Sequence, residues 1–146
     1  MSTKLCTLEA IHGCLVRLGY DAKLSESGIM VAVGNHWAPF PLVITQEKDE
    51  AIFSCQIAQL SDIPENSLAQ FAMATLDANL RIRPFAFAML ADDNIEMADQ
   101  TPIVLIDAIP CKDLDESEVA RIMDCLLVAL TSSRSVFETI AEPVSV

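Results

Sequence analysis

The hydrophobic periodicity of the chain changes several times, and these changes constrain the fold more than any other feature of the sequence. Residues 3–18 place leucine and isoleucine on one helical face, and Gly19 suits the left-handed residue that follows a helix. Residues 24–33, 40–46 and 51–60 are apolar, partly β-branched runs, and a short polar turn separates the last two. We therefore predict a helix followed by three strands, the last two forming a hairpin.

The periodicity becomes helical again after this hairpin. Residues 62–65, DIPE, have the Asp-x-x-Glu spacing of a capping box, which predicts the start of a second helix. We expect this helix to end near Asn79 in left-handed geometry, because Asn tolerates that conformation. Arg81 and Arg83 then lie close to the negative end of the helix dipole, and Pro84 prevents continuation.

The remaining part of the sequence, from residue 85 onward, predicts two more strands and a long helix. Residues 85–90 and 102–109 are the strands, and residues 113–116, DLDE, repeat the capping-box spacing before a helical stripe. That helix either continues or breaks at residues 131–133, TSS. The order is αβββαββα, an α+β domain that occupies residues 1–146 as one unit.

Composition bounds the environment and the partners. The five cysteines are scattered singly and the first residues are too polar for a signal peptide, so we expect a reduced, cytoplasmic protein. No apolar run approaches the roughly 18 to 20 residues that span a bilayer, so membrane insertion is not expected. The net charge of -12 would repel phosphate backbones, which argues against nucleic acid as a partner.

The predicted order, in a small acidic chain, resembles the fold shared by type III secretion chaperones and the YbjN-like proteins. Residues 36–45 (HWAPFPLVIT), 53–90 (FSCQIAQLSDIPENSLAQFAMATLDANLRIRPFAFAML) and 101–110 (TPIVLIDAIP) look like the uncharacterised bacterial YjfI family. The resemblance covers nearly the whole chain. It implies a five-stranded, mainly antiparallel sheet packed with three helices, frequent dimerisation, and binding without turnover in the chaperone relatives. It transfers no functional residue, because the YjfI family has no established function.

Catalytic and metal-binding patterns are weak in this sequence. His12 shares its predicted helix with Cys6 and Cys14, but the two cysteines lie roughly 12 Å apart along the axis and cannot easily bind one ion. Acids in residues 92–99 lack the glycine-centred pattern of a calcium loop. We therefore predict no catalytic residue, no metal and no cofactor, and interpret the cysteines as small core residues.

Two features favour contact with another protein. The only Trp, Trp37, lies with two prolines, Pro39 and Pro41, between predicted strands, where it either anchors a partner or covers the end of the sheet. In the strand PFAFAML, Phe85, Phe87 and Met89 point one way and the intervening apolar residues point the other. Helices can then cover one face and a second subunit the other, or one chain can bury both.

These features predict a non-enzymatic, chaperone-like or adaptor protein that forms a homodimer and binds an unidentified protein. The candidate contact residues are Trp37, Phe85, Phe87 and Met89. The alternative is a small-molecule sensor or enzyme with a pocket beneath the Trp37 loop.

Overall fold

The computed structural model of the chain describes residues 4–5, 7–33, 40–90 and 100–141. Its described residues form α-helices and β-strands in the order αββββαββα, with short 3-10 turns before the second and third helices. The helices are α1 (Leu8–Arg17), α2 (Leu68–Ala78) and α3 (Glu116–Ala141). The strands are β1 (Ala22–Ser25), β2 (Gly28–Val33), β3 (Phe40–Glu47), β4 (Glu50–Gln59), β5 (Ala86–Met89) and β6 (Pro102–Pro110).

All the described strands belong to one antiparallel sheet in the spatial order β1-β2-β3-β4-β6-β5. The α+β class, the three helices and the β3–β4 hairpin are confirmed. The expected count of five strands is wrong, because the chain also folds back at Glu26 and Ser27 to pair β1 with β2. Gly28 permits this turn, since its φ is 147° and a Cβ there would lie 2.6 Å from the Ile44 carbonyl oxygen.

The helices pack against a single face of the sheet. One cluster joins Ile11 and Leu15 of α1, Phe53 of β4, and Ile122 and Leu126 of α3, all of them completely buried. A second cluster joins α2 and α3 to the same face of β6. Its buried members are Ile63, Phe71, Ala78, Ile103 and Val136. Most of the core is therefore one layer of side chains between the helices and one side of the sheet, while Val104, 2% exposed, is buried on the opposite side.

The helix starts differ from the predicted capping boxes. Asp62 accepts a hydrogen bond from the Gln59 backbone N–H at 2.9 Å in a 3-10 turn, and α2 begins six residues later. Ile63 is extended, as residues before proline usually are, and this interrupts the predicted box. At α3, Asp115 accepts from the Glu118 N–H at 2.9 Å. The box predicted at residues 113–116 is wrong by two residues, because extended, fully buried Leu114 separates the 3-10 turn from α3.

The first helix is also shorter than predicted. It begins at Leu8, where the Thr7 hydroxyl accepts from the Ala10 N–H at 3.1 Å, rather than at residue 3. Gly19 has a φ of 96°, which confirms the positive φ expected after the helix. In α3, the helix continues through residues 131–133, where the Ser133 hydroxyl donates to the Leu130 carbonyl at 2.8 Å. The Thr131 and Ser133 hydroxyls donate to carbonyls within the helix and do not interrupt it.

Candidate protein-contact surfaces

The side of the sheet opposite the helices carries an apolar surface. We call it the open face, and its apolar members are Met30, Ala32, Val43, Ile52, Ala86, Ala88 and Ile106, which strand alternation places together. The polar residues Thr45 and Ser54 lie among them, and Val104 on the same side is buried. None of these residues belongs to either helix-covered cluster. Met30 is 55% exposed, whereas most of the others are half-buried by their neighbours in the sheet.

Charged side chains surround the open face instead of crossing its centre. Lys23 lies on the same side in the edge strand β1, and Glu47 and Glu50 lie at the ends of β3 and β4. The two glutamates are direct cross-strand partners, an arrangement that is destabilising for like charges. The surface therefore has an uncharged centre, mainly apolar apart from Thr45 and Ser54, and a charged rim, as protein interfaces commonly do.

The predicted contact strand contributes different side chains to the two faces. Phe85 is 1% exposed and lies in the core, and Phe87 is half-buried against both clusters on the helix-covered side. Met89 shares that side, and it is 45% exposed where β5 ends. Trp37 lies outside the described residues. Of the described candidates, only Met89 offers substantial accessible surface.

A second apolar surface lies on α2. We call it the α2 stripe, and it comprises Ala69, Ala72, Met73, Leu76 and Leu80, all exposed at helical spacing. Met73 is 73% exposed, Leu76 is 70% exposed and Leu80, just beyond the helix, is 67% exposed. The sequence analysis did not identify these residues as a contact surface. The sequence of α2 could have indicated this surface, because the helix is apolar around nearly its whole circumference. One apolar face therefore stays exposed when another packs into the core.

The basic pair after α2 is exposed, and its neighbour Asn79 has a structural role. An Arg81 guanidinium nitrogen lies 3.0 Å from an Asp77 carboxylate oxygen, with both side chains more than 60% exposed. Asn79 is right-handed, with φ -57° and ψ -28°, so the predicted left-handed end is wrong. Its side-chain oxygen accepts a hydrogen bond from the Phe87 backbone N–H at 2.8 Å, and this bond links the end of α2 to β5.

Polar side chains bind backbone groups at both edges of the sheet. Asn79 bonds to β5, and His12 of α1 lies with Nε2 2.9 Å from the Ala22 carbonyl oxygen in β1. Edge strands present backbone groups that attract additional strands, and such caps reduce this tendency. Large apolar side chains are accessible on the open face and on α2, and also on α1 and α3, where Val16 is 51% and Val128 is 56% exposed.

Two buried thiols, Cys14 and Cys55, lie in an environment that disfavours the reactive thiolate form. Burial raises the pKa of Cys55 to about 12 and also raises the pKa of Cys14, so both thiols stay protonated at neutral pH. Cys6 and the acids of residues 92–99 lie outside the described residues. Among the residues that are described, no three His, Cys, Asp or Glu side chains are grouped as metal ligands would be.

One buried carboxylate stands out on the helix-covered face of β6. Asp107 is the cross-strand partner of Phe53, and its Oδ2 atom is buried without a hydrogen-bond partner among the described residues. Burial raises the pKa of Asp107, and the positive charge of Arg121 on α3 only partly opposes this. Arg121 itself binds Glu118. The protein therefore holds a carboxylate at a free-energy cost.

Two surface cavities accompany these surfaces. One, of about 380 Å³, is lined by Pro41, residues 56–59 and Asp62, at the start of β3 and the bulge in β4. Among the described residues that line it, Asp62 alone is ionisable, and it is engaged with Gln59. The other, of about 270 Å³, lies between α2 and α3. Its lining includes the hydroxyls of Ser132, Ser135 and Thr139, and the one carboxylate among its described lining residues, Asp77, is paired with Arg81.

Solved structures share this architecture. YbjN from E. coli, described as a proposed transcription regulator, matches with a TM-score of 0.68 and 11% identity over 98% of this chain and 100% of YbjN. A chain of the ExsC–ExsE complex matches with a TM-score of 0.54 and 15% identity over 88% of this chain and 91% of its own. The Yersinia pestis type III secretion chaperone SycH, solved with a fragment of YscM2, matches with a TM-score of 0.49 and 13% identity over 86% of this chain and 98% of SycH.

These likenesses confirm the predicted type III secretion chaperone-like and YbjN-like fold. No protein-family model and no curated protein sequence matches the chain, so the YjfI assignment stays a prediction. Of the described helices, none has the length and continuous apolar character needed to cross a membrane.

Proposed function

We propose that the chain is a non-enzymatic, chaperone-like or adaptor protein of the bacterial cytoplasm, related to the YjfI family, which forms a homodimer and binds another protein. The observation that carries this proposal is the open face, an apolar sheet surface that lies outside both helix-covered clusters. An extended apolar surface in water favours association, because burying it releases about 25 cal/mol per Å².

The charge around the open face favours a basic partner. The chain carries 21 acids against nine Lys and Arg, and Glu47 and Glu50 stand opposite each other at the rim. A lysine or arginine from a partner would relieve the repulsion between these two glutamates. We therefore expect the bound segment to combine apolar side chains with positive charge.

The fold relatives support protein binding as the activity. ExsC and ExsE form a complex of two proteins on a fold similar to this one. The alternative drawn from the sequence, a sensor or enzyme with a pocket near the Trp37 loop, is less well supported. The described lining of the 380 Å³ cavity beside Pro41 contains one carboxylate, already hydrogen bonded within the chain, and no nucleophile.

Affinity capture from native cytosol followed by mass spectrometry tests the proposal. We expect a protein to co-purify reproducibly and in stoichiometric amount with the wild-type chain. A purified chain that instead retains a small molecule, and captures no protein, would support the sensor or enzyme alternative.

A further inference from the structure

The cavity of about 270 Å³ between α2 and α3 combines a charged wall with a wall of hydroxyls. Asp77 and Arg81 lie one helical turn apart on α2 and form the first wall. The second wall belongs to α3 and carries Ser132, Ser135 and Thr139. Charged and hydroxyl groups from two helices therefore face the same space.

The floor of this cavity is apolar and is part of the core. Ala78 is 1% exposed and Val136 is 7% exposed, and both belong to the second buried cluster. The ring centroids of Phe71 and Phe137 lie 5.4 Å apart, a contact that holds α2 against α3. Ala74 also lines the cavity, and its small side chain leaves the space open. Packed helices therefore set the distance between the two walls.

The charges in the cavity favour a ligand that carries both signs. A guanidinium nitrogen of Arg81 lies 3.0 Å from a carboxylate oxygen of Asp77, so the described lining holds one positive and one negative side chain. A ligand with a single negative charge would meet Asp77 and the field of a chain of net charge -12. A ligand with a single positive charge would meet Arg81.

The α3 hydroxyls add acceptors for the N–H groups of a ligand. The Thr139 hydroxyl donates to the Ser135 carbonyl at 2.9 Å, and the Ser135 hydroxyl donates to the Thr131 carbonyl at 3.5 Å. Because these protons are directed to the helix backbone, the hydroxyl oxygens keep lone pairs for a donor from outside. Arg81 supplies the complementary groups, since a guanidinium has five N–H donors and the contact with Asp77 uses one.

We propose that this cavity binds an α-amino acid with a small apolar side chain. Its carboxylate binds the remaining N–H groups of Arg81, and its ammonium group binds Asp77 and the α3 hydroxyls. The two charges of an amino acid lie on neighbouring carbon atoms, which suits an ion pair with a 3.0 Å separation. The ligand is small, because sites for drug-sized molecules occupy about 300 to 1,000 Å³. Since both charged side chains are more than 60% exposed, binding is weak, with a Kd on the order of 1 mM.

NMR titration of the isotope-labelled full chain with L-valine tests the inference. We expect saturable shifts of the backbone amides of residues 77–81 and 132–139, which flank the cavity. Isobutylamine and isovalerate keep the carbon skeleton of valine but carry only one of its two charges, so each should bind about tenfold more weakly or worse. Unchanged amide shifts with L-valine, or equally tight binding of either analogue, would overturn the inference.

Matched variants locate the binding in the cavity. Arg81→Gln should raise the Kd for L-valine about tenfold or more. Arg134→Gln is its control and should leave the Kd unchanged, because Arg134 pairs with Glu138 and is not among the described residues that line the cavity. Ala74→Leu should abolish binding by filling the space, whereas Ala72→Leu, on the exposed side of α2, should not.

The exposed position of Arg81 keeps the test decisive if circular dichroism shows that Ala74→Leu does not fold. Binding that survives Arg81→Gln, or that is lost equally in the control variants, overturns the inference. The amino-acid site is separate from the open face, so its failure leaves the protein-binding proposal standing.

Discussion

Asn79 should stabilise the sheet edge through a single side-chain hydrogen bond. Its side-chain oxygen accepts from the Phe87 N–H at 2.8 Å, and Phe87 lies in β5, a strand of four residues at the edge of the sheet. Asn79→Ala removes the acceptor and leaves the donor in place. An unsatisfied buried donor costs about 1 to 3 kcal/mol. Because both residues are half-buried and water can partly replace the lost acceptor, we expect a loss of about 1 to 2 kcal/mol in the free energy of unfolding.

Urea unfolding of wild type, Asn79→Ala and Asn79→Asp provides the assay. Asn79→Asp keeps an oxygen at the same position, where its charge strengthens the hydrogen bond. The same charge lies near the negative end of α2, which costs about 0.3 to 1 kcal/mol. These effects oppose each other, so the aspartate variant should unfold at nearly the wild-type urea concentration.

Amide hydrogen exchange locates the effect within the sheet. The Phe87 amide should exchange faster in Asn79→Ala, while amides in the central strand β4 should change only through global stability. Equal stability of the alanine and aspartate variants, with the Phe87 amide protected in both, would refute the assigned role of Asn79.

Three further predictions test the core and the backbone. Asp107→Asn should raise the free energy of unfolding at pH 7, because it removes a buried negative charge. Burial raises the pKa of Asp107, so the wild-type carboxylate becomes neutral on acidification and the gain should shrink towards pH 4. A gain that grows on acidification contradicts this. Cys55→Ser should lower the free energy of unfolding, measured by thermal denaturation, by about 1 to 3 kcal/mol, because it buries a polar hydroxyl. Cys125 is only partly buried, so Cys125→Ser should lower it by less than about 0.5 kcal/mol. Equal losses would argue against burial as the cause. Gly28→Ala should lower the free energy of unfolding by more than about 1 kcal/mol, whereas Gly13→Ala in α1 should raise it by about 0.5 to 1 kcal/mol. A rise at both positions would exclude strain at Gly28.

Local patterns predicted most of the elements because the buried residues repeat with the period of each element. Residues 29–33 and 51–55 alternate between buried and accessible positions, as half-covered strands do. Strand β1 escaped prediction because three of its four residues are exposed and no buried face marks it. The capping boxes were misplaced because Asp-x-x-Glu spacing carries no information on where the chain must turn inward, as it does at Leu114.

The contact surfaces were harder to predict than the fold. Leu76 fits a helical stripe equally well whether that stripe faces the sheet or water, and only the packing of α2 against α3 decides between them. Similarly, alternation in β5 shows that Phe87 and Ala88 point to opposite sides, but not which side the helices cover. These choices depend on contacts between distant segments, which periodicity does not encode.

Partner binding by matched surface variants tests the central claim most directly. Met30 is 55% exposed on the open face and Val128 is 56% exposed on α3, so lysine at either position should cost the monomer similar and small amounts of stability. With equal amounts of folded bait, we predict that Met30→Lys reduces recovery of the captured protein about tenfold or more, because it places a charge in an apolar contact. Val128→Lys should recover as much as wild type. Equal recovery by Met30→Lys and wild type would contradict the assignment of the open face as the protein-binding surface.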